Sequence, residues 1–164
     1  MGSAAPLEVI RAVPREVAEA FYAAFVTHDA AKIEPFLHDD VEWTITGPVE
    51  ALRYCGRRCG KAAVFDLFNR LMPQVFDKRR FDSEAMLIDG DRAAILSKLT
   101  ATKRDDGRVV SYRLAQFARF RDQKVIECRA VIDSFDAVEQ LIGHRIDLSQ
   151  DVASPVLSGD LVAV

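Results

Sequence analysis

Apolar and polar positions alternate most regularly between Val109 and Asp133. The runs Val109 to Phe120 and Lys124 to Asp133 are rich in β-branched and aromatic residues and are joined by Arg121-Asp122-Gln123, a pattern that predicts a β-hairpin. Alternation puts Leu114, Gln116, Ala118 and Phe120 on one face and Arg113, Ala115, Phe117 and Arg119 on the other. On the second strand Cys128, Ala130 and Ile132 oppose Arg129, Val131 and Asp133. Neither face is cleanly polar, so both are expected to be at least partly covered. A short helix ending at Gly143 follows.

Upstream the period changes. Val17, Ala20, Phe21, Ala24 and Phe25 recur at helical spacing behind Pro14, which suits a first turn, with Glu16 and Glu19 near the positive end. Tyr22, about 100° around the helix from Phe21, borders that stripe as a core-edge aromatic. Asp29 is placed to cap a second helix through Ile33, Phe36 and Leu37, which Pro35 shortens or kinks, and His38-Asp39-Asp40 closes it. Val41 to Thr46 alternates as a strand with Val41, Trp43 and Ile45 on one face, and Gly47-Pro48 stops it. The stretch to Gly60 reads as loop and Lys61 to Val75 as helix until Pro73 interferes. Strands follow at Arg79 to Ile88 and Ala93 to Lys103, with turns at Asp89-Gly90 and Asp105-Asp106-Gly107. Helices first and antiparallel strands afterwards give an α+β layout. One domain is expected over residues 1–148, opening with a loose arm of about a dozen residues, with a C-terminal tail at 149–164 in which Val156, Leu157, Leu161 and Val162 are docking candidates.

Composition narrows the class. With 164 residues, 49% of them apolar, and a net charge of −3, a single soluble globular domain is expected and a general nucleic-acid surface is disfavoured. No run reaches the roughly 18 apolar residues of a membrane span. The start Met1-Gly2-Ser3-Ala4-Ala5-Pro6 lacks the blocks of a signal peptide, so a cytoplasmic location and no membrane partner are expected. Cys55, Cys59 and Cys128 are an odd number, which argues against a disulfide framework. Cys55 and Cys59 would need two further zinc ligands, and His28, His38 and His144 are scattered singly. No motif implies a metal, nucleotide or flavin, so no cofactor is expected.

Trp43 in Asp39-Asp40-Val41-Glu42-Trp43, the run Tyr54-Cys55-Gly56-Arg57-Arg58-Cys59-Gly60-Lys61-Ala62-Ala63-Val64, and Asp133 upstream of Gln140-Leu141 together carry a resemblance. From about Pro14 to Gly143 the chain resembles the SnoaL-like family of the nuclear-transport-factor-two-like superfamily, which also holds ketosteroid isomerases and limonene epoxide hydrolases. The resemblance implies a cone: a curved, mostly antiparallel sheet wrapped around the N-terminal helices, with a pocket inside and commonly a homodimer. The ketosteroid isomerase set of a Tyr, an Asp base and a protonated Asp falls on Phe21, Ile45 and Gln116, so that route is lost. The hydrolase Arg–Asp pair falls near Leu99 and Ala101 and its water-activating Asp near Ala130, so that set is lost as well. The polyketide cyclase Asp resembles Asp133, which is equally placed to cap the last helix unless a bulge re-aims it.

If the Ala130 face looks inward, Trp43, Ile45, Leu99, Tyr112, Gln116, Cys128 and Ile132 are the expected substrate-binding residues, with Ser97, Ala101 and Leu114 beside them. Such a lining suits a small hydrophobic or aromatic molecule; the alternative is a filled core. Gln116, a mid-strand amide among apolar neighbours, either anchors a ligand or bonds a polar neighbour. Cys128 reads more readily as an inert buried thiol than as a nucleophile. Asp133 and His38 are the catalytic candidates, with Arg129 a possible helper; His38 is equally a cap or surface residue. Arg57, Arg58, Lys61, Lys78, Arg79 and Arg80 form two basic clusters, read as solvated faces or as pocket-mouth charges attracting an acidic ligand. The readings left open are a cyclase- or isomerase-type enzyme using Asp133, a non-catalytic binder of the same fold, and a dimerisation module. Ala115, Phe117 and Val131, interrupted by Arg113, Arg119 and Arg129, form the expected homodimer face.

Overall fold

Pro14, with its fixed φ, leads into α1 (Arg15–Phe25), whose Phe21 and Phe25 are buried as their spacing implies, whereas Ala18 is buried in place of the exposed Ala20. Tyr22 is buried as well, a correction to its edge placement. Its hydroxyl reaches the carbonyls of Ala93 (3.3 Å) and Gln116 (3.5 Å), and these partners make burial tolerable. Asp29 caps α2 (Ala30–Ile33), accepting from the Ala31 N–H at 3.0 Å, and Pro35 sits in a 3₁₀ turn, Glu34–Phe36. The computed structural model describes residues 11–147 of the chain. Most of the N-terminal arm and the expected tail with its docking candidates lie outside the described residues.

Two strands depart most from the expected boundaries. β1 (Leu37–Thr46) begins before the alternating run, so His38, Asp39 and Asp40 belong to a strand and not to a helix end. Leu37 pairs with Val125, and a register irregularity before Glu42 absorbs the polar residues. β2 (Gly56–Cys59) lies in the stretch read as loop and pairs antiparallel with β1 from Glu42↔Cys59 to Ile45↔Gly56. A four-residue edge strand has too few buried positions to show a period.

α3 (Lys61–Asp66), a π turn at Leu67–Leu71 and α4 (Met72–Val75) follow as consecutive helical segments. The widened turn lies just ahead of Pro73, which has no N–H to continue an ordinary ladder. β3 (Phe76–Asp89), β4 (Arg92–Lys103), β5 (Val109–Arg121) and β6 (Lys124–Ile132) then form a meander, and α5 (Ser134–Ile142) closes the described chain. The sheet order is β2-β1-β6-β5-β4-β3, a curved, unclosed sheet in which only the β1–β6 pair is parallel. Phe21 packs edge-on against Trp43 (6.4 Å) and Phe120 (5.8 Å), which seats α1 on the concave side of the sheet. Gln140 pins α5 to β5: its Oε1 accepts from the Ser111 N–H and its Nε2 donates to the Ser111 carbonyl, both at 2.6 Å. The α+β cone is the observed fold. Among the described residues no helix is long and apolar enough to cross a membrane.

Candidate functional site

Strand alternation turns Trp43 and Ile45 of β1, Leu99 of β4, Tyr112, Leu114 and Gln116 of β5, and Ala130 and Ile132 of β6 toward a single cavity. Leu67, Phe68 and Met72 close it from the helical side, and Phe25 at the end of α1 completes the aromatic wall. The space open to the centres of water molecules is about 40 Å³. That accommodates a few waters, whereas pockets for larger ligands run to roughly 300–1,000 Å³, so an aromatic guest requires side chains to give way. Met72 is the most adaptable of the wall residues, and the π turn beneath Phe68 is a common mark of functional sites.

The polar residues of this wall are unusual in their bonding. Three buried side-chain atoms have no hydrogen-bond partner among the described residues: Gln116 Oε1, His28 Nδ1 and Arg79 Nη1. All three residues line this cavity. Buried polar atoms are nearly always paired, so their gathering at one site is informative. The Tyr54 and Tyr112 hydroxyls are 2.8 Å apart and buried. One shared bond uses one of their two protons, which leaves one O–H available as a donor. Burial raises both phenol pKa values well above the ordinary range, so the pair stays protonated.

His28 enters through backbone geometry. It stands between α1 and α2 with φ +60°, a left-handed conformation that His adopts more readily than most residues. Its Nε2–H donates to the Arg79 carbonyl at 3.0 Å, and its ring lies 5.1 Å from that of Phe81. The bond to a carbonyl places the proton on Nε2 and the free lone pair on Nδ1. Burial, aided by the Arg79 guanidinium, pulls its pKa down to about 4, so the ring is neutral near pH 7. Arg79 reaches the same wall through a β-bulge. Asp77 pairs with Thr102 and Arg80 with Thr100, so Lys78 and Arg79 together oppose a single residue, Ala101. Lys78 takes up the bend with φ +45°. The extra residue shifts the parity of β3, so that Phe76 is buried and Arg79 and Phe81 also face inward.

Of the residues expected to bind substrate, Trp43, Ile45, Leu99, Tyr112, Gln116 and Ile132 line the cavity. Cys128 does not: it is wholly buried beside the Gln116 amide, and burial raises its thiol pKa, which keeps it protonated and inert. The two catalytic candidates lie elsewhere. Asp133 follows Ile132 and therefore points to the other face, where its carboxylate is exposed and accepts from the Asp136 N–H at 3.2 Å as the cap of α5. His38 sits on β1 with Nδ1 accepting from the Asp40 N–H at 3.1 Å, outside the cavity wall. Arg129 lies on the outer face and pairs with Glu127. Sequence reasoning missed His28 and did not separate Arg79 from its basic neighbours. The available signal for His28 was a residue tolerant of positive φ between a helix exit and the Asp29 cap.

Comparison with known proteins agrees with this architecture. The family model described as a SnoaL-like domain matches residues 18–128. A search of curated proteins gives no match. Among solved structures, a protein labelled an isomerase from Rhodopseudomonas palustris is 28% identical and superposes with a TM-score of 0.67, covering 77% of this chain and 93% of its own. TerC, co-crystallised with polyporic acid, is 23% identical with a TM-score of 0.67 over 78% of this chain and 96% of its own. An NTF2-like protein from Burkholderia pseudomallei is 22% identical with a TM-score of 0.68 over 77% and 95%.

Proposed function

Because this chain belongs to the SnoaL-like family, we propose that it binds a small, largely apolar molecule inside the cone. The observation that carries this reading is that three residues, each holding a buried polar atom without a partner, line one largely apolar cavity. A ligand that meets them removes a desolvation cost of about 1–3 kcal/mol for each atom paired. Gln116 and the tyrosine pair then orient a polar group of the guest, while Trp43, Leu99 and Ile132 cover its apolar body. Of the solved neighbours, one is labelled an isomerase and another was crystallised with polyporic acid, which is compatible with an apolar guest. Proton transfer by Asp133 has no support in this geometry, because its carboxylate is occupied as a helix cap outside the wall.

Benzamide serves as a probe, small enough to enter with modest side-chain movement and polar at one end. Amide NMR titration should shift resonances of residues around the cavity. Gln116→Leu should weaken the complex by about 1–3 kcal/mol. Shifts confined to the outside of the cone, or an unchanged affinity in the variant, would defeat this reading.

The same proposal includes a homodimer through the outer face of the sheet. Leu87, Phe117 and Val131 are exposed there, while Arg113, Arg119 and Arg129 are matched by Glu84, Asp91 and Glu127. Sedimentation should give a dimer, and Phe117→Asp should weaken it by about 2 kcal/mol or more. A monomer at micromolar concentration would exclude it.

A further inference from the structure

Arg79 is out of place among the basic residues of this protein. Asp77, Asp82 and Glu84 of its own strand pair with Arg104, Arg80 and Arg113, so each of these carboxylates is engaged elsewhere. No ion pair of Arg79 occurs among the described residues, and its Nη1 is buried without a partner. The bulge that aims it inward is held by the His28 imidazole, whose Nε2–H binds the carbonyl of Arg79 itself. A partly buried guanidinium in the wall of an apolar cavity without a counter-charge is costly, and an anion entering the cavity relieves that cost.

We propose that Arg79 and His28 form an anion-recognition pole of this cavity, so that its ligand is an apolar molecule ending in a negatively charged oxygen: a carboxylate, or an ionised phenol or enol. The inference rests on the binding role argued above and adds the charge of the ligand. Arg79 supplies the planar, permanently charged fork that suits such oxygens. His28 is a positioning residue that fixes the bulge, and its neutral ring keeps the pole at one positive charge instead of two. Its free Nδ1 lone pair accepts from an O–H next to the anionic oxygen. The Tyr54 and Tyr112 hydroxyls of the same wall stay protonated and add no charge.

The matched probes are benzoate and benzamide, nearly equal in shape and different in charge, titrated by calorimetry at pH 7. The intact protein should favour benzoate by about tenfold or more, the order expected for a charge-assisted Arg contact. In Arg79→Gln that preference should fall to within about twofold, because benzoate loses more affinity than benzamide, and Arg79→Lys should restore part of it. His28→Asn, which tolerates the same positive φ, should shrink the benzoate preference by weakening benzoate more than benzamide, a selectivity effect that loss of stability alone does not produce. Equal affinities for the two probes, or a preference that survives Arg79→Gln in a folded variant, overturns the anion pole and leaves apolar binding standing. Failure of both probes to bind overturns the binding reading and this inference together.

Discussion

The two faces of the β3–β6 meander use the same strands to opposite ends. On the outer face every arginine of β5 and β6 considered for the interface has an acidic neighbour: Arg113 with Glu84, Arg119 with Asp91, Arg129 with Glu127. On the inner face Gln116 keeps a lone acceptor and Arg79 a lone donor, both buried. The exposed charges, which water would solvate anyway, are paired, while the buried groups that need partners lack them. Exposed pairs are worth little, roughly 0–1 kcal/mol each, whereas each buried orphan costs more. Pairing within the chain therefore marks the outer face as finished for electrostatics but open for apolar contact. The inner face is the reverse: its apolar contacts are made and its polar ones wait for a guest.

The sharpest way to break that contrast is to truncate one aromatic on each face. Trp43 is 1% exposed and packs on Phe21, Phe25 and Phe68. Trp43→Ala should cost about 3–5 kcal/mol in denaturant unfolding. Phe117 is 53% exposed, and Phe117→Ala, measured at a concentration where the chain is monomeric, should cost less than about 1 kcal/mol. Equal costs would show that the two faces are not divided in this way.

A second contrast is one of pH. The folded pKa of His28, about 4, lies below its ordinary value of 6.5, so the unfolded chain takes up the proton first as the pH falls. The contribution of His28 to stability is therefore intact above about pH 6.5 and is lost progressively down to about pH 4. The imidazole is bounded by Arg79, whose charge acts in the same direction, and by the uncharged ring of Phe81. For this partly exposed imidazole the loss should be about 1–2 kcal/mol. Unfolding midpoints followed from pH 7.5 to 4 should fall less steeply in His28→Asn. Parallel curves for the two proteins would remove His28 from the pH response.

Much of this was legible in the chain because burial writes a period. The alternation of β5 predicted Leu114, Gln116, Ala118 and Phe120 on one side, and all four are buried. That same period placed seven of the ten expected lining residues on the wall, while Ser97, Ala101 and Cys128 are buried without lining it. Features without a period were not legible. β2 is a short polar edge, Arg79 depends on a bulge that reverses strand parity, and His28 depends on one left-handed residue between helices. None of these leaves a repeating mark in sequence. Cys128 shows the converse limit: parity gives the inward face, but not which inward residue meets the cavity and which is covered by its neighbours.

The smallest effect tests the residue that the sequence made most prominent. Asp133 accepts from the Asp136 N–H as the N-cap of α5, so its carboxylate serves the helix and faces away from Ile132 and the cavity. A cap depends on an oxygen acceptor and scarcely on charge. Asp133→Asn should therefore change stability by only a few tenths of a kcal/mol, while Asp133→Ala should lose about 0.5–2 kcal/mol. An acid–base residue behaves oppositely, since both variants abolish proton transfer whatever they do to folding. Thermal unfolding of the two variants, set beside benzamide titrations of each, separates the cases: a graded loss of stability with constant affinity assigns Asp133 to the helix. An Asn variant as stable as the parent but altered in cavity binding would return Asp133 to the site.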